Sequence, residues 1–249
     1  DAVAICTPPD VRFAIARQAL LAGKHILLEK PSTTTLGETA ALARIAQAGG
    51  RTIYTTWHSQ QNLAVNRARE LLSGCSIRRL DIRWHEDVNA HHAGQRWIWE
   101  SGGFGVFDAG INPLSIATAI APRPLIVTSA ELHVPQDAQT PATARMAFAM
   151  DGVDGDDLRA DFDWLRPGND KFIRLEDDAG RTLELRESGG TLVVDGEVVV
   201  TGERREYDMI YETFATLLKT RQSHVDAEPL RIVADAYLVA ERRPIGPVM

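Results

Sequence analysis

The sequence predicts an α/β unit followed by an α+β unit: the later strands of a doubly wound parallel sheet, then an open, mainly antiparallel sheet with helices on one face. Three observations predict it. Residues 1 to about 58 alternate strand-length apolar runs with helical stretches. After the next helix, short β-rich runs replace that alternation. Hairpin signals such as Asp178-Ala179-Gly180, Gly189-Gly190 and Asp195-Gly196 separate several of these runs.

Taken in order, Ala2 to Cys6 reads as a buried strand. Thr7-Pro8-Pro9-Asp10 turns the chain into a helix, since proline at the first helical position sacrifices no hydrogen bond and Asp10 can cap. Val11, Ala14, Ile15, Ala19 and Ala22 share one face, expected to be buried, and Gly23 is placed to stop the helix. Ile26-Leu27-Leu28 forms a second strand, Leu36 to about Ala48 a second helix ending at Gly49-Gly50, and Thr52 to Thr56 a third strand. A helix over Leu63 to Leu72 carries Ala64, Ala68, Leu71 and Leu72 as its apolar stripe. Strands are then expected at Ile77 to Val88, Leu125 to Val134, Ala142 to Met150, Arg159 to Trp164, Phe172 to Leu175, Thr182 to Leu185 and Thr191 to Val200. Tyr207, Ile210, Tyr211, Phe214, Leu217 and Leu218 stand at core spacing on a helix, and another helix runs from Leu230 to about Ala240. The expected division is residues 1–58 and residues 59–249, with the C-terminal helix packing back on the first unit.

Composition narrows the function. A chain of 249 residues with 44% hydrophobic and 24% charged residues can build its core without staples. A net charge of -7 argues against a nucleic-acid partner, because neutralising phosphates takes clustered Lys and Arg. No apolar run approaches the roughly 20 residues that cross a bilayer, so no membrane partner is expected. The two cysteines, Cys6 and Cys75, have no metal-ligand spacing and suggest a reducing, cytoplasmic setting. No metal is expected: His91 and His92 lack a carboxylate at helical spacing.

A dinucleotide fold begins with a strand, a glycine-rich turn and a helix whose N-terminus receives the pyrophosphate. No Gly-x-Gly-x-x-Gly follows a strand in this chain. Gly102-Gly103-Phe104-Gly105 is glycine-rich, but Val106-Phe107-Asp108 is not expected to open a long helix. Because the first residues already read as a buried strand, the glycine-turn half, roughly 60 residues, is expected to lie ahead of Asp1. Without it the chain is expected to lose cofactor affinity and activity.

Three local signatures carry chemistry. Glu29-Lys30-Pro31 follows a strand, where open α/β sheets bind ligands; Lys30 alone would read as a solvated loop lysine. Asp108-Ala109-Gly110-Ile111-Asn112 leads into a helix, where Asp108 reads either as a cap or as a proton acceptor. The third is Trp84-His85-Glu86-Asp87-Val88 followed by His92-Ala93-Gly94-Gln95-Arg96-Trp97-Ile98-Trp99. Together they resemble the Gfo/Idh/MocA oxidoreductases over essentially the whole chain, and within them the aldose dehydrogenases acting on galactose and arabinose. The resemblance implies a Rossmann domain and a sheet domain holding an aldose between them, with NAD or NADP as cofactor and oxidation at the anomeric carbon to the aldonolactone.

It further implies Lys30, Asp108 and Asn112 as catalytic residues, with Asn112 standing where many relatives carry histidine. An amide cannot act as a base at neutral pH, so proton removal falls to Asp108 or Lys30. Glu86, His92, Trp97 and Trp99 would hold the sugar; Thr7, Pro8, Pro9, Glu29, Lys30 and His58 would hold the cofactor. Pro31 matches a proline whose peptide bond is often cis. His85 stands at a position that is commonly lysine and is expected to bear on sugar preference, as is His91-His92-Ala93. Trp84 and Trp164 are assigned to the core. Association through the second sheet is expected, since an open sheet needs a cover. Alternatives are a polyol or inositol dehydrogenase, a cyclic-carbonyl reductase, or a sugar-binding fragment without catalysis. A glycoside hydrolase using Glu86 and Asp108 leaves Lys30 without a role.

Overall fold

A computed structural model describes residues 1–151, 157–202 and 205–248. Three parallel strands, β1 (Ala2–Ile5), β2 (His25–Leu28) and β3 (Ile53–Thr55), lie side by side in chain order. Helices α1 (Pro9–Leu21) and α2 (Leu36–Ala48) make the crossovers. Local chemistry starts α2 sharply. The Thr35 hydroxyl accepts from the Glu38 N–H while the Glu38 carboxylate accepts from the Thr35 N–H. Such reciprocal caps are worth about 1 kcal/mol.

The buried face of α1 differs from expectation. Arg12, Ala16 and Leu20 point inward, while Val11 and Ile15 are exposed and no side chain caps the helix. Apolar periodicity alone selected the wrong stripe, because the inward position at Arg12 is held by hydrogen bonds rather than by hydrophobicity.

After α3 (Leu63–Leu72), which matches its expected bounds, comes a nine-stranded sheet with strand order β11-β10-β9-β8-β4-β7-β6-β5-β12. Its members are β4 (Ile77–Asp87), β5 (Leu125–Pro135), β6 (Thr143–Met150), β7 (Leu158–Asp163), β8 (Leu165–Asp177), β9 (Thr182–Arg186), β10 (Thr191–Val194), β11 (Glu197–Thr201) and β12 (Ala240–Ile245). Six of its pairings are antiparallel. Two, β4 with β7 and β5 with β12, are parallel, so the sheet is mixed. Strand β12 carries no sequence signal because Glu241-Arg242-Arg243-Pro244 is charged and contains proline, as edge strands often do.

Two short helical pieces, α4 (Val88–His92) and a 3-10 turn at Arg96–Trp99, precede α5 (Phe107–Ile120). The expectation that no long helix begins at Val106-Phe107-Asp108 is overturned. Helix α5 is buried along most of its length, so packing rather than propensity sustains it through Gly110 and Pro113. A Cβ on Gly110 would stand 2.9 Å from the Phe162 ring, so glycine lets α5 approach the sheet closely. Gly105, at φ +54°, has no room for a side chain against the Pro141 carbonyl. The glycine run is therefore a close-packing device.

Helix α6 (Glu206–Thr220) covers the three-stranded sheet by packing Ile210 and Phe214 on Leu27 and Tyr54. Tyr207 and Tyr211, expected in the core, are about half exposed, because the patch they would cover is only a few residues wide. Helix α7 (Glu228–Val239) packs on α5 and β5 and also touches α2. The main core lies between the nine-stranded sheet and α3, α5 and α7. On the sheet's other face, ion pairs such as Asp81–Arg159, Arg145–Asp161 and Arg243–Glu131 replace a helical cover.

Candidate active site

The carboxyl ends of the three parallel strands converge on one edge. Thr7-Pro8 follows β1, Glu29-Lys30 follows β2 and His58 comes soon after β3. The Arg12 guanidinium, only 3% exposed, donates to the carbonyls of Thr7, Glu29 and Pro31 and so ties two of these ends together. Burial pulls its pKa down, against nearby carboxylates that raise it. The Lys30–Pro31 peptide bond is cis.

Lys30 projects from this edge toward α5. Its ammonium donates to the Asp108 backbone carbonyl at 2.8 Å and lies 3.4 Å from each Asp108 carboxylate oxygen. Asp108 sits in the first turn of α5 without capping it, so its carboxylate is left for other partners. From the other flank, His92 Nε2 comes within 3.5 Å of Asp108 Oδ2. The three residues come from the segment after β2, from α4 and from α5. Asn112, one turn along α5, lies beside the His58 ring. That ring stacks on Tyr207, with centroids 6.0 Å apart. The Tyr207 hydroxyl in turn donates to Glu29 at 2.9 Å, and Glu29 also accepts from the Lys30 N–H. Desolvation first, and the Lys30 charge among lesser causes, holds the His58 pKa below its usual value. Burial and the Glu29 carboxylate raise that of Tyr207.

Glu86 lies inward on β4 and is 5% exposed. It pairs with Lys171 of β8 and accepts from Trp164 Nε1 at 3.1 Å. The Lys171 ammonium also rests 5.1 Å from the centre of the Trp84 ring. His85, the next residue, points to the opposite sheet face, as strand alternation requires. There it approaches Asp161 at 3.1 Å beside Arg145, out of line for a hydrogen bond. Its expected influence on sugar preference is therefore overturned, because the sheet separates it from Glu86.

The tryptophans divide differently from expectation. Trp84 and Trp164 are buried, as expected, but Trp164 also orders the site: His92 packs on its ring at 5.2 Å. Trp99 is 6% exposed and packs edge-on against Trp164, reaching a cleft of about 500 Å³ beside His92. Trp97 is half-buried, its indole N–H donating to Gln95.

Arg12 and Lys171 were missed by sequence reading. Lys171 had a signal: it shares a strand face with Ile173 and Leu175, where a lysine needs a buried carboxylate. Arg12 had none, since its partners are backbone carbonyls.

The strand ends fit a dinucleotide. Thr7 Oγ1 and Arg12 Nε are buried without a hydrogen-bond partner at this edge, where open α/β sheets bind ligands. Cys75, Asp177 and Asp178 also come together, but Arg181 already donates to Cys75 Sγ and Asp177. No helix among the described residues is long and apolar enough to cross a membrane.

A parallel edge suited to a dinucleotide, facing a lysine–carboxylate pair, defines an oxidoreductase of the α/β class. Residues 1–56 match the family profile described as "Oxidoreductase family, NAD-binding Rossmann fold", that is, Gfo/Idh/MocA. The expected further half-fold ahead of Asp1 finds no confirmation in that match. The chain is 41% identical over 243 residues to galactose 1-dehydrogenase of Pseudomonas fluorescens, covering 97% of this chain and 78% of that one. Its structure superposes on D-galactose-1-dehydrogenase from Rhizobium etli with TM-score 0.93 and 40% identity, covering 100% of this chain and 79% of that one. An inositol dehydrogenase homologue complexed with NAD+ from Azotobacter vinelandii shares the fold at TM-score 0.78 and 19% identity, covering 96% and 75% of the two chains. The protein belongs to the Gfo/Idh/MocA oxidoreductases.

Proposed function

We propose that this protein oxidises an aldose of the galactose or arabinose type at its anomeric carbon, giving the aldonolactone, with NAD or NADP as the cofactor. The meeting of Lys30, Asp108 and His92 supports this reading best. Residues 1–58 form the dinucleotide-binding part and residues 59–249 the sugar-binding part. Thr7, Pro8, Pro9, Glu29, Lys30 and His58 are assigned to the cofactor. When bound, the nicotinamide supplies the acceptor for the hydride leaving the anomeric carbon.

The protein's own groups handle the proton. Asp108 takes it from the anomeric hydroxyl, and the Lys30 ammonium donates a hydrogen bond to the same oxygen as charge builds there. Asn112 holds His58 beside them. Glu86 keeps lone pairs for a sugar hydroxyl after accepting from Trp164 and Lys171, because a carboxylate offers about four acceptor sites. His92, Trp97 and Trp99 border the ring. The ion-paired sheet face is the surface we assign to self-association, and the two free cysteines accord with a cytoplasmic protein.

The test is to incubate the full-length protein with a panel of aldoses and each nicotinamide cofactor while following reduced nicotinamide. Galactose or arabinose is expected to be turned over with at least one cofactor. Silence across the whole panel would sink the proposal.

A further inference from the structure

The hydrogen bonds around His92 identify its tautomer. Trp97 Nε1, which can only donate, points at Gln95 Oε1 at 3.2 Å, and Gln95 Nε2 donates to the His91 carbonyl at 3.5 Å. The Gln95 oxygen is therefore the atom 3.2 Å from His92 Nδ1, so Nδ1 carries the hydrogen. In the neutral ring, Nε2 is left as a bare acceptor facing Asp108 Oδ2 at 3.5 Å. Two acceptors face each other, and the contact becomes a hydrogen bond only when a proton arrives on one of them, Asp108 or Nε2.

We infer that His92 is a proton relay between Asp108 and the cleft on its far side. The inference rests on the aldose-oxidation reading. Each turnover removes a hydride from the anomeric carbon to the cofactor and a proton from the anomeric oxygen to Asp108. That proton must leave before Asp108 can act again. Asp108 is 9% exposed, and its other neighbour, Lys30, is an ammonium with no room for another proton. An imidazole accepts on one nitrogen and releases from the other. The Asp108 O–H bond breaks as the Nε2–H bond forms, the Nδ1 proton passes to water in the cleft as its bond to Gln95 opens, and proton exchange with that water returns the ring to its Nδ1–H form, leaving lactone, reduced cofactor and one released proton. The cleft, about 500 Å³, is lined by His92, Asn89, Gln95, Arg96 and Asp137. The Trp164 ring, anchored through its N–H to Glu86, holds the imidazole in place.

The experiment compares kcat and KM of the wild type, His92→Gln and His92→Ala, with and without added imidazole, alongside thermal unfolding. Loss of the relay is expected to lower kcat about 100-fold in both variants, a far larger change than the rise in KM from the lost contact with the sugar. Free imidazole entering the cleft is expected to restore kcat of His92→Ala in proportion to its concentration, while the wild type does not respond. A raised KM with intact kcat would overturn the relay and leave His92 as a sugar ligand. Lost kcat without imidazole rescue in a folded His92→Ala protein would overturn it in favour of a structural role. Should His92→Ala unfold, the kcat and KM of His92→Gln decide the matter. Absence of wild-type turnover overturns both readings, whereas wild-type turnover that survives His92→Gln overturns the relay alone.

Discussion

Two lysine–carboxylate pairs stand in this protein, and they are built differently. Lys171–Glu86 is held from both sides: Trp164 donates to the carboxylate and Trp84 presents its ring to the ammonium. Lys30–Asp108 is looser, with 3.4 Å separations and His92 at its open flank. The first pair is fixed by partners within the protein, and Glu86 has only its remaining lone pairs to offer a ligand. The second leaves capacity unfilled at the edge where three parallel strands end. A carboxylate can stay reactive in a buried place only if its neighbours do not use it up, and here the neighbours divide that labour.

The largest expected effect tests the open pair. Asp108→Asn, isosteric but unable to accept the proton as a carboxylate does, should lower kcat by about 10³-fold while cofactor binding, followed by fluorescence, persists. Loss of both would make Asp108 structural. Next comes the tightly held pair. Lys171→Met strands Glu86 without its cation, and breaking such a buried pair costs roughly 3–5 kcal/mol, measured by denaturant unfolding. If Lys30→Met costs as much stability, the contrast between the pairs collapses.

A smaller effect probes the approach of α5 that brings Asp108 to Lys30. Gly110→Ala forces a methyl against the Phe162 ring and should cost about 1–3 kcal/mol; a neutral result would mean that α5 moves freely. The smallest is a pH effect. The His58 pKa is lowered on folding, so the unfolded chain binds the proton more readily, and stability must fall as pH drops through 6.5. Replacing His58 by Gln should flatten that part of the stability profile, and an unchanged slope would remove His58 as its source.

Helices α2 and α3 were legible because their apolar spacing and end signals lie within a dozen residues, and β4, β5 and β6 fell close to their expected ranges. Lys30 and Asp108 were legible as candidates because each sits in a short motif at the end of a strand or the start of a helix, and the structure brings them together. The inward face of α1 and the start of α5 were not. The first depends on carbonyls that Arg12 reaches at Glu29 and Pro31, and the second on burial by the sheet.

What the sequence by itself determined is the local grammar: the order of most elements, the change from parallel to mainly antiparallel pairing, and the residue types able to move a proton. Tertiary structure decided which of those residues meet. Lys30 reaches Asp108, and Glu86 reaches Trp164, each across 78 residues. Strand alternation sent Glu86 inward and His85 to the other face, and sheet order placed Lys171 beside Glu86. Periodicity specifies a face, but the partner on that face is chosen by packing between distant segments, which no local pattern encodes.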